Sequence, residues 1–142
     1  MMMKQLTPNA RVADIGSGGG LPIIPCLIAR PDVQAILIES SKKKAVFLRE
    51  ALCLIGATNR AEVIAERFES VSCPDVDYVS CRAVERFENL ITDIVKWSSP
   101  LAKFIFFAGK GLEEPMTNAD LEFTATLIPH SEKRFLFVAR RK

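Results

Sequence analysis

Short apolar runs alternate with amphipathic runs along most of this chain. Apolar runs such as residues 33–38 and 104–108 are typical of strands buried in a parallel sheet. Over residues 41–55 the apolar positions recur at helical spacing, a serine can cap the start, and Gly56 ends the run. Strands are predicted at residues 12–15, 33–38, 61–65, 76–81, 104–108, 121–129 and 135–139, and helices at residues 21–29, 41–55 and 87–97.

The order of these elements predicts an α/β fold. Strand and helix alternate through the first five strands, which indicates a mostly parallel sheet, and the last two strands predict a closing antiparallel hairpin. Residues 1–10 are expected to form an extended lead-in to a single domain over residues 11–142. Residues 66–70 are predicted as a loop or short helix, and residues 113–120 as irregular because Pro115 interrupts them. In such a sheet the ligand lies at the carboxyl ends of the strands.

A glycine cluster, DIGSGGG, separates the first strand from the first helix. Glycines let the backbone turn tightly and approach a ligand closely. The dinucleotide pattern G-x-G-x-x-G fails here, because its sixth position counted from Gly16 is Leu21. Asp14 precedes the first glycine by two residues, where a carboxylate would repel a pyrophosphate and suit an ammonium group. The loop therefore favours S-adenosylmethionine, and a dinucleotide oxidoreductase is a more distant alternative.

A second acid supports an adenosine ligand. Glu39 ends the second predicted strand, 19 residues after Gly20. An acid at this place can accept both ribose hydroxyls of an adenosine, in NAD as well as in S-adenosylmethionine. The alternative interpretation is that Asp14 and Glu39 are solvated acids at strand ends.

Composition narrows the class of protein. The chain has 142 residues, is 49% hydrophobic and 25% charged, and therefore suits one ordinary folded domain. No apolar run approaches the roughly 20 residues that span a bilayer, and the start lacks the apolar segment of a signal peptide. Four cysteines without a C-x-x-C pair and one histidine argue against a metal site and against triad hydrolysis. We expect a monomer in a reducing compartment, the cytoplasm.

Three consecutive lysines, at positions 42–44, fall in the first turn of the predicted helix at 41–55. Cations there oppose the helix dipole. They form either a solvated basic face or a contact with an anionic partner. The net charge of +2 neither indicates nor excludes nucleic-acid binding.

Several motifs resemble one family of methyltransferases. The segments DIGSGGGLPIIP, SSKKKAVFLRE, VSCRAV, GKG and the closing SEKRFLFVARRK are similar to the RsmG (GidB) family, and the resemblance covers nearly all of the chain from Arg11 onward. The glycine loop suits any class I methyltransferase, whereas the other motifs are more specific. The resemblance implies a Rossmann-like class I fold and S-adenosylmethionine-dependent methylation of guanine N7 in 16S ribosomal RNA, with ribosomal RNA or the small subunit as partner.

The resemblance also implies roles for single residues. Gly16 and Leu21 would lie against the methionine and adenosine parts of the cofactor, and Glu39 would bind its ribose. Arg67 and Phe68 match the place where the family contacts the adenine region. The expected cofactor-binding set is Asp14, Gly16, Ser17, Gly18, Gly20, Leu21, Glu39, Ser40, Arg67, Phe68 and Arg82.

Two basic residues match the catalytic side of the family. Arg82 corresponds to an arginine near cofactor and target, and Lys110 to a lysine that faces RNA. The alternatives are a strand-end salt bridge from Arg82 to Glu85 or Asp77, and a plain solvated lysine at position 110.

The chain departs from the family in two places. Family members carry an N-terminal helical segment before the glycine loop, where this sequence has only ten residues. They also have a longer helix after the fifth strand. If those parts hold RNA, the chain would be a cofactor-binding or RNA-binding remnant without methyl transfer. A small-molecule methyltransferase is a further alternative.

Overall fold

In the computed structural model, which describes residues 2–82 and 87–142, seven strands form one sheet flanked by helices. Its strand order is β3-β2-β1-β4-β5-β7-β6. Strands β1 to β5 are parallel to one another, and β7 runs antiparallel to both β5 and β6. The predicted parallel sheet with a closing hairpin is therefore confirmed. The strands are β1 (Arg11–Ile15), β2 (Gln34–Ile38), β3 (Ala61–Ile64), β4 (Tyr78–Arg82), β5 (Lys103–Ala108), β6 (Leu121–Leu127) and β7 (Phe135–Arg141).

Helices cover both faces of the sheet. They are α1 (Met2–Gln5), α2 (Ile23–Ala29), α3 (Lys42–Leu54), α4 (Phe87–Trp97) and α5 (Glu113–Asn118), with 3-10 turns at Phe68–Ser70 and Lys110–Leu112. Apolar side chains of α1, α2 and α3 share one core cluster, and those of α4 and α5 share the other. Strand β5 supplies both clusters, because Phe104 and Phe106 point to the α4 face and Ile105 to the α3 face.

Local signals set the ends of α3. Ser41 caps its start, because the Ser41 hydroxyl accepts a hydrogen bond from the Lys44 amide at 3.3 Å. At the other end Gly56 adopts a φ of +71°, and its N–H donates to the Cys53 carbonyl at 3.1 Å. The helix predicted at 41–55 is therefore confirmed to within one residue at each end.

Two predictions about local structure are wrong. Residues 2–5 form a helix rather than an extended lead-in, because the apolar Met2 and Leu6 are buried against the sheet. Residues 113–118 are helical although Pro115 lies among them. Pro115 is the third residue of α5, in the first turn, where the missing N–H has no helical partner to lose, and the fully buried Met116 anchors the helix.

Other boundaries shift by one or two residues, as is common for strand ends. The strand predicted at 76–81 covers Tyr78–Arg82, and the one predicted at 121–129 ends at Leu127. Within the part of the chain that the structure describes, no helix has the length and apolar character to cross a membrane.

Candidate functional site

The carboxyl ends of the five parallel strands lie along one edge of the sheet. A residue singled out from the sequence ends or closely follows each of these strands. The glycine loop follows β1, Glu39 follows β2, Arg67 follows β3, Arg82 ends β4 and Lys110 follows β5. The topology thus brings candidate site residues from five separate segments to a single edge of the sheet.

The glycine loop is tied to the strand beside it and leaves open space on its outer side. The Gly16 amide donates to the Ile38 carbonyl at 2.8 Å. Gly20 has a φ of +85°, and an added Cβ would lie 2.5 Å from Ile24 Cγ1, so this position needs glycine for the close packing of α2. By contrast, an added Cβ at Gly16 or Gly19 would meet no atom within 4 Å. A ligand can therefore approach the loop backbone there.

Asp14 lies beneath the loop rather than at its mouth. Its carboxylate is only 3% exposed, and it accepts hydrogen bonds from the Ser80 hydroxyl at 2.6 Å and the Ser17 hydroxyl at 2.7 Å. Burial raises the pKa of Asp14 to about 6, while the two hydroxyls and the positive charge of Arg82 act to lower it. The placement of Asp14 inferred from the sequence is therefore corrected, although the group remains mostly ionised at pH 7.

Ser80 was not predicted to belong to this site. It lies inside an apolar strand and within the VSCRAV motif, of which only Arg82 was singled out as a site residue. The β1–β4 register pairs Asp14 with Ser80, and only this cross-strand neighbour relation brings the hydroxyl to the carboxylate. The three buried groups, Ser17, Asp14 and Ser80, form a hydrogen-bonded chain that joins the loop to β4.

Glu39 holds the other side of the loop. Its side chain is 6% exposed, Oε1 accepts from the Gly18 amide at 2.9 Å, and Oε2 accepts from the Ser41 amide at 2.7 Å. Each carboxylate oxygen has a second lone pair, so the group can still accept two hydroxyls. The alternative that Asp14 and Glu39 are solvated acids is wrong, since both are buried. Ser40, next to Glu39, is exposed.

The two residues predicted to contact adenine, Arg67 and Phe68, both lie in the segment after β3 but differ in exposure. Arg67 is exposed and pairs with Glu69 at 3.4 Å. Phe68 is 6% exposed and packs edge-on against Trp97, with ring centroids 5.6 Å apart. The Phe68 ring belongs to the core and offers almost no surface to a ligand. Burial of the ring therefore argues against the contact predicted for Phe68, and the contact predicted for Arg67 stays a prediction.

Arg82 and Lys110 are both exposed at the candidate edge. Asp77 precedes β4 at its opposite end, where its carboxylate lies 3.9 Å from Arg11, so the proposed Asp77 salt bridge to Arg82 is wrong. Glu85 lies outside the described residues. Lys110 is not simply solvated, because its ammonium group lies 5.7 Å from the centroid of the Phe135 ring. Leu21, 57% exposed, adds an apolar side chain at the end of the glycine loop.

Two cavities, of about 340 and 520 Å³, open at the amino ends of the strands and share Arg11, Asp75 and Val76. They lie on the sheet edge opposite the glycine loop. Arg11 is held there by Asp75 at 3.1 Å, which leaves its guanidinium engaged within the protein. The chemistry-bearing residues therefore concentrate at the carboxyl edge and not in these cavities.

Comparison with known proteins gives both a fold and a family. A crystal structure of a SAM dependent methyltransferase from Aquifex aeolicus matches 97% of this chain and 86% of its own, with a TM-score of 0.77 at 16% identity. The fold is that of the class I S-adenosylmethionine-dependent methyltransferases, as the sequence predicted.

Sequence relatives point to one family. A ribosomal RNA small subunit methyltransferase G of Sorangium cellulosum (strain So ce56) is 40% identical over 122 residues, covering 83% of this chain and 51% of that protein. Its counterpart from Mycolicibacterium vanbaalenii is 45% identical over 102 residues, covering 69% and 42%. The chain thus spans about half or less of the length of these relatives.

A family model described as GidB, rRNA small subunit methyltransferase G, matches residues 1–140. That match takes in the glycine loop, Glu39, Arg82 and Lys110, and so includes every segment that meets at the carboxyl edge. By its sequence over nearly its whole length, and by a fold that agrees with it, this chain belongs to the GidB family of rRNA small subunit methyltransferases.

Proposed function

We propose that residues 11–142 form a methyltransferase domain that binds S-adenosylmethionine and methylates guanine N7 in 16S ribosomal RNA, in the cytoplasm. The observation that carries the proposal is the hydrogen bond between the Gly18 amide and Glu39 Oε1, at 2.9 Å. This bond fixes a ribose-accepting carboxylate beside a loop that leaves open space for a ligand. Family membership supports the choice of ribosomal RNA as substrate.

The residues present fit this cofactor. Glu39 has lone pairs left for two ribose hydroxyls, and Asp14, with Ser17 above it, supplies negative charge near the loop for an ammonium group. A pyrophosphate would be repelled at the glycine turn, because the Asp14 charge lies beneath it. Leu21 follows the glycine loop, and Ser40 follows Glu39.

The proposed reaction needs little from the protein beyond alignment. When bound, S-adenosylmethionine supplies an electrophilic methyl group, with the electron pair of the broken bond returning to sulfur. Guanine N7 has a lone pair and no proton, so the site requires no general base. Arg82 and Lys110 then serve to position the guanine and its phosphates by charge and hydrogen bonding, which is catalysis by proximity and orientation.

Two measurements in sequence test this proposal. Calorimetry with S-adenosylmethionine measures binding, and transfer of tritium from the labelled cofactor to small ribosomal subunits measures methylation. We expect both to be positive, and we expect Arg82→Ala to slow single-turnover transfer at least tenfold at saturating cofactor. Unchanged single-turnover transfer in Arg82→Ala would remove that residue from the reaction.

A second candidate is a cofactor-binding or RNA-binding remnant that does not transfer a methyl group. Cofactor binding without transfer to subunits would select this candidate. A competition assay with bulk RNA distinguishes an RNA substrate from a small-molecule substrate. Bulk RNA should compete, in a strongly salt-dependent manner, only if the true substrate is RNA.

A further inference from the structure

The first turn of α3 carries a concentrated positive charge that forms no ion pair with any residue the structure describes. Lys42, Lys43 and Lys44 are all exposed, and the first turn of α3 has no acidic residue. Among the described residues, none of the three lysines lies within 4.0 Å of a carboxylate. Three like charges at the positive end of a helix dipole weaken the helix. Their placement is therefore not explained by stability.

An aromatic ring lies beside these charges. Phe47 is 51% exposed and lies outside the buried side of α3, which is formed by Ala45, Leu48 and Leu52. Phe47 follows Lys43 by four residues and Lys44 by three, so the three side chains share one face. This face thus combines ammonium groups with the exposed surface of an aromatic ring.

The first turn of α3 adjoins the proposed cofactor site. The Ser41 amide donates to Glu39 Oε2 at 2.7 Å, and the Lys44 amide donates to the Ser41 hydroxyl at 3.3 Å. One chain of hydrogen bonds therefore connects Glu39 to the first turn of α3. The lysines of this turn therefore lie next to the edge of the sheet at which the proposed function presents a base.

We propose that Lys42, Lys43, Lys44 and Phe47, here called the α3 surface, bind a single-stranded stretch of the RNA substrate next to the methylated guanine. The lysines contact phosphates, and an unpaired base stacks on Phe47. Single-stranded RNA presents phosphates beside unstacked bases, and this face presents ammonium groups beside an aromatic ring. The inference rests on the proposed function for its RNA, and it adds where that RNA lies.

The lysines are tested by charge removal with a matched control. We compare K42Q/K43Q/K44Q with K4Q/K96Q/K103Q, which removes the same charge from exposed lysines near the amino ends of the strands. The probe is a fluorescent single-stranded 16S RNA fragment containing guanine, titrated at several salt concentrations. We expect the first variant to reduce the slope of log affinity against log salt by about 2, because each phosphate contact to a single strand contributes about 0.7. The control should retain the wild-type slope.

The ring is tested separately. Phe47→Ala should weaken binding of the same RNA about tenfold or more, without a change in the salt slope, and Phe47→Trp should retain affinity. In Phe47→Trp, bound RNA should also quench the added tryptophan fluorescence, measured as the difference from the same titration of the wild-type chain, which contains only Trp97. Calorimetry with S-adenosylhomocysteine and thermal unfolding check that all variants keep the fold and the cofactor site.

The outcomes separate the two proposals. Wild-type RNA binding that is unaffected by both sets of α3 substitutions would overturn the α3 surface and leave the proposed function standing. Binding to intact subunits that depends on the lysines, with no binding of naked RNA, would also overturn it, because the partner would then be a ribosomal protein. Failure of the wild-type chain to bind either form of RNA, while it still binds S-adenosylhomocysteine, would overturn both proposals.

Discussion

Replacing Ser80 by alanine should raise the pKa of Asp14 and thereby change how stability depends on pH. The Ser80 hydroxyl donates to Asp14 Oδ1 at 2.6 Å inside the sheet, where both groups are buried. This bond stabilises the ionised carboxylate against the burial that raises its pKa to about 6. Without the hydroxyl, the Ser17 hydroxyl is the one direct donor to the Asp14 carboxylate among the residues that the structure describes.

The size of the effect follows from the strength of such bonds. A hydrogen bond to a charged group contributes about 1.5–3 kcal/mol, and one pKa unit corresponds to about 1.4 kcal/mol. The pKa of Asp14 should therefore rise by about 1 unit or more in Ser80→Ala, to about 7. In the wild type, the shift from 3.8 to about 6 already costs about 3 kcal/mol of stability at pH 7.

The sign of the pH dependence is opposite to that of a salt-bridged aspartate. Because the folded pKa of Asp14 lies above the unfolded value of 3.8, folding is favoured most at low pH. This stability is lost as the pH rises from about 4 through 6. In Ser80→Ala the loss continues to about pH 7, so the gap in unfolding free energy between wild type and variant should widen by about 1.4 kcal/mol or more from pH 5 to 8.

Two assays measure this effect. Carbon-13 NMR of the aspartate carboxyl carbons gives the pKa of Asp14 directly, and urea unfolding from pH 4 to 8 gives the stability curve. Ser98→Ala is the matched control, since Ser98 is also buried but donates its hydroxyl to the Ile94 carbonyl of α4. The difference in unfolding free energy between Ser98→Ala and wild type should not vary with pH. An Asp14 pKa in Ser80→Ala at or below the wild-type value would refute the reasoning.

Three further substitutions have defined outcomes. Glu39→Gln leaves one acceptor oxygen where two backbone amides now bind, so calorimetry should show at least tenfold weaker binding of S-adenosylhomocysteine; equal affinity would remove Glu39 from the site. Gly20→Ala combines a φ of +85° with a close contact and should cost about 1–3 kcal/mol in urea unfolding, whereas Gly19→Ala, with open space around it, should cost less than about 0.5. Arg30 holds the pKa of Asp32 well below its usual range through hydrogen bonds, so Asp32→Asn should lower stability at pH 7 and the loss should shrink below about pH 4, as thermal unfolding across that range can show.

Local sequence was sufficient to predict the glycine loop, Glu39 and the helix after it. These features depend on neighbours within a few residues: glycines that turn the chain, an acid at a strand end, and Ser41 capping α3. Strand alternation then placed the loop and the acid at one edge, because parallel strands share the direction of their carboxyl ends.

What could not be predicted depends on contacts between distant segments. Ser80 meets Asp14 through the register of β1 against β4, and Phe68 is buried in a core cluster built from distant segments, with Trp97 packed against its ring. Asp14 was expected at the mouth of the loop, since the sequence does not show which side of the turn its carboxylate faces. The short helix at 2–5 forms because Met2 is buried on the sheet, an energy that local propensity does not contain.

The central claim is that an acid-flanked glycine loop selects an adenosine compound that bears an ammonium group and no phosphate. Titration of the purified chain with S-adenosylhomocysteine and with NADH, each monitored by calorimetry, tests it most directly. The account predicts saturable binding of S-adenosylhomocysteine that Glu39→Gln weakens, and no binding of NADH. Uptake of NADH with no response to S-adenosylhomocysteine would contradict it.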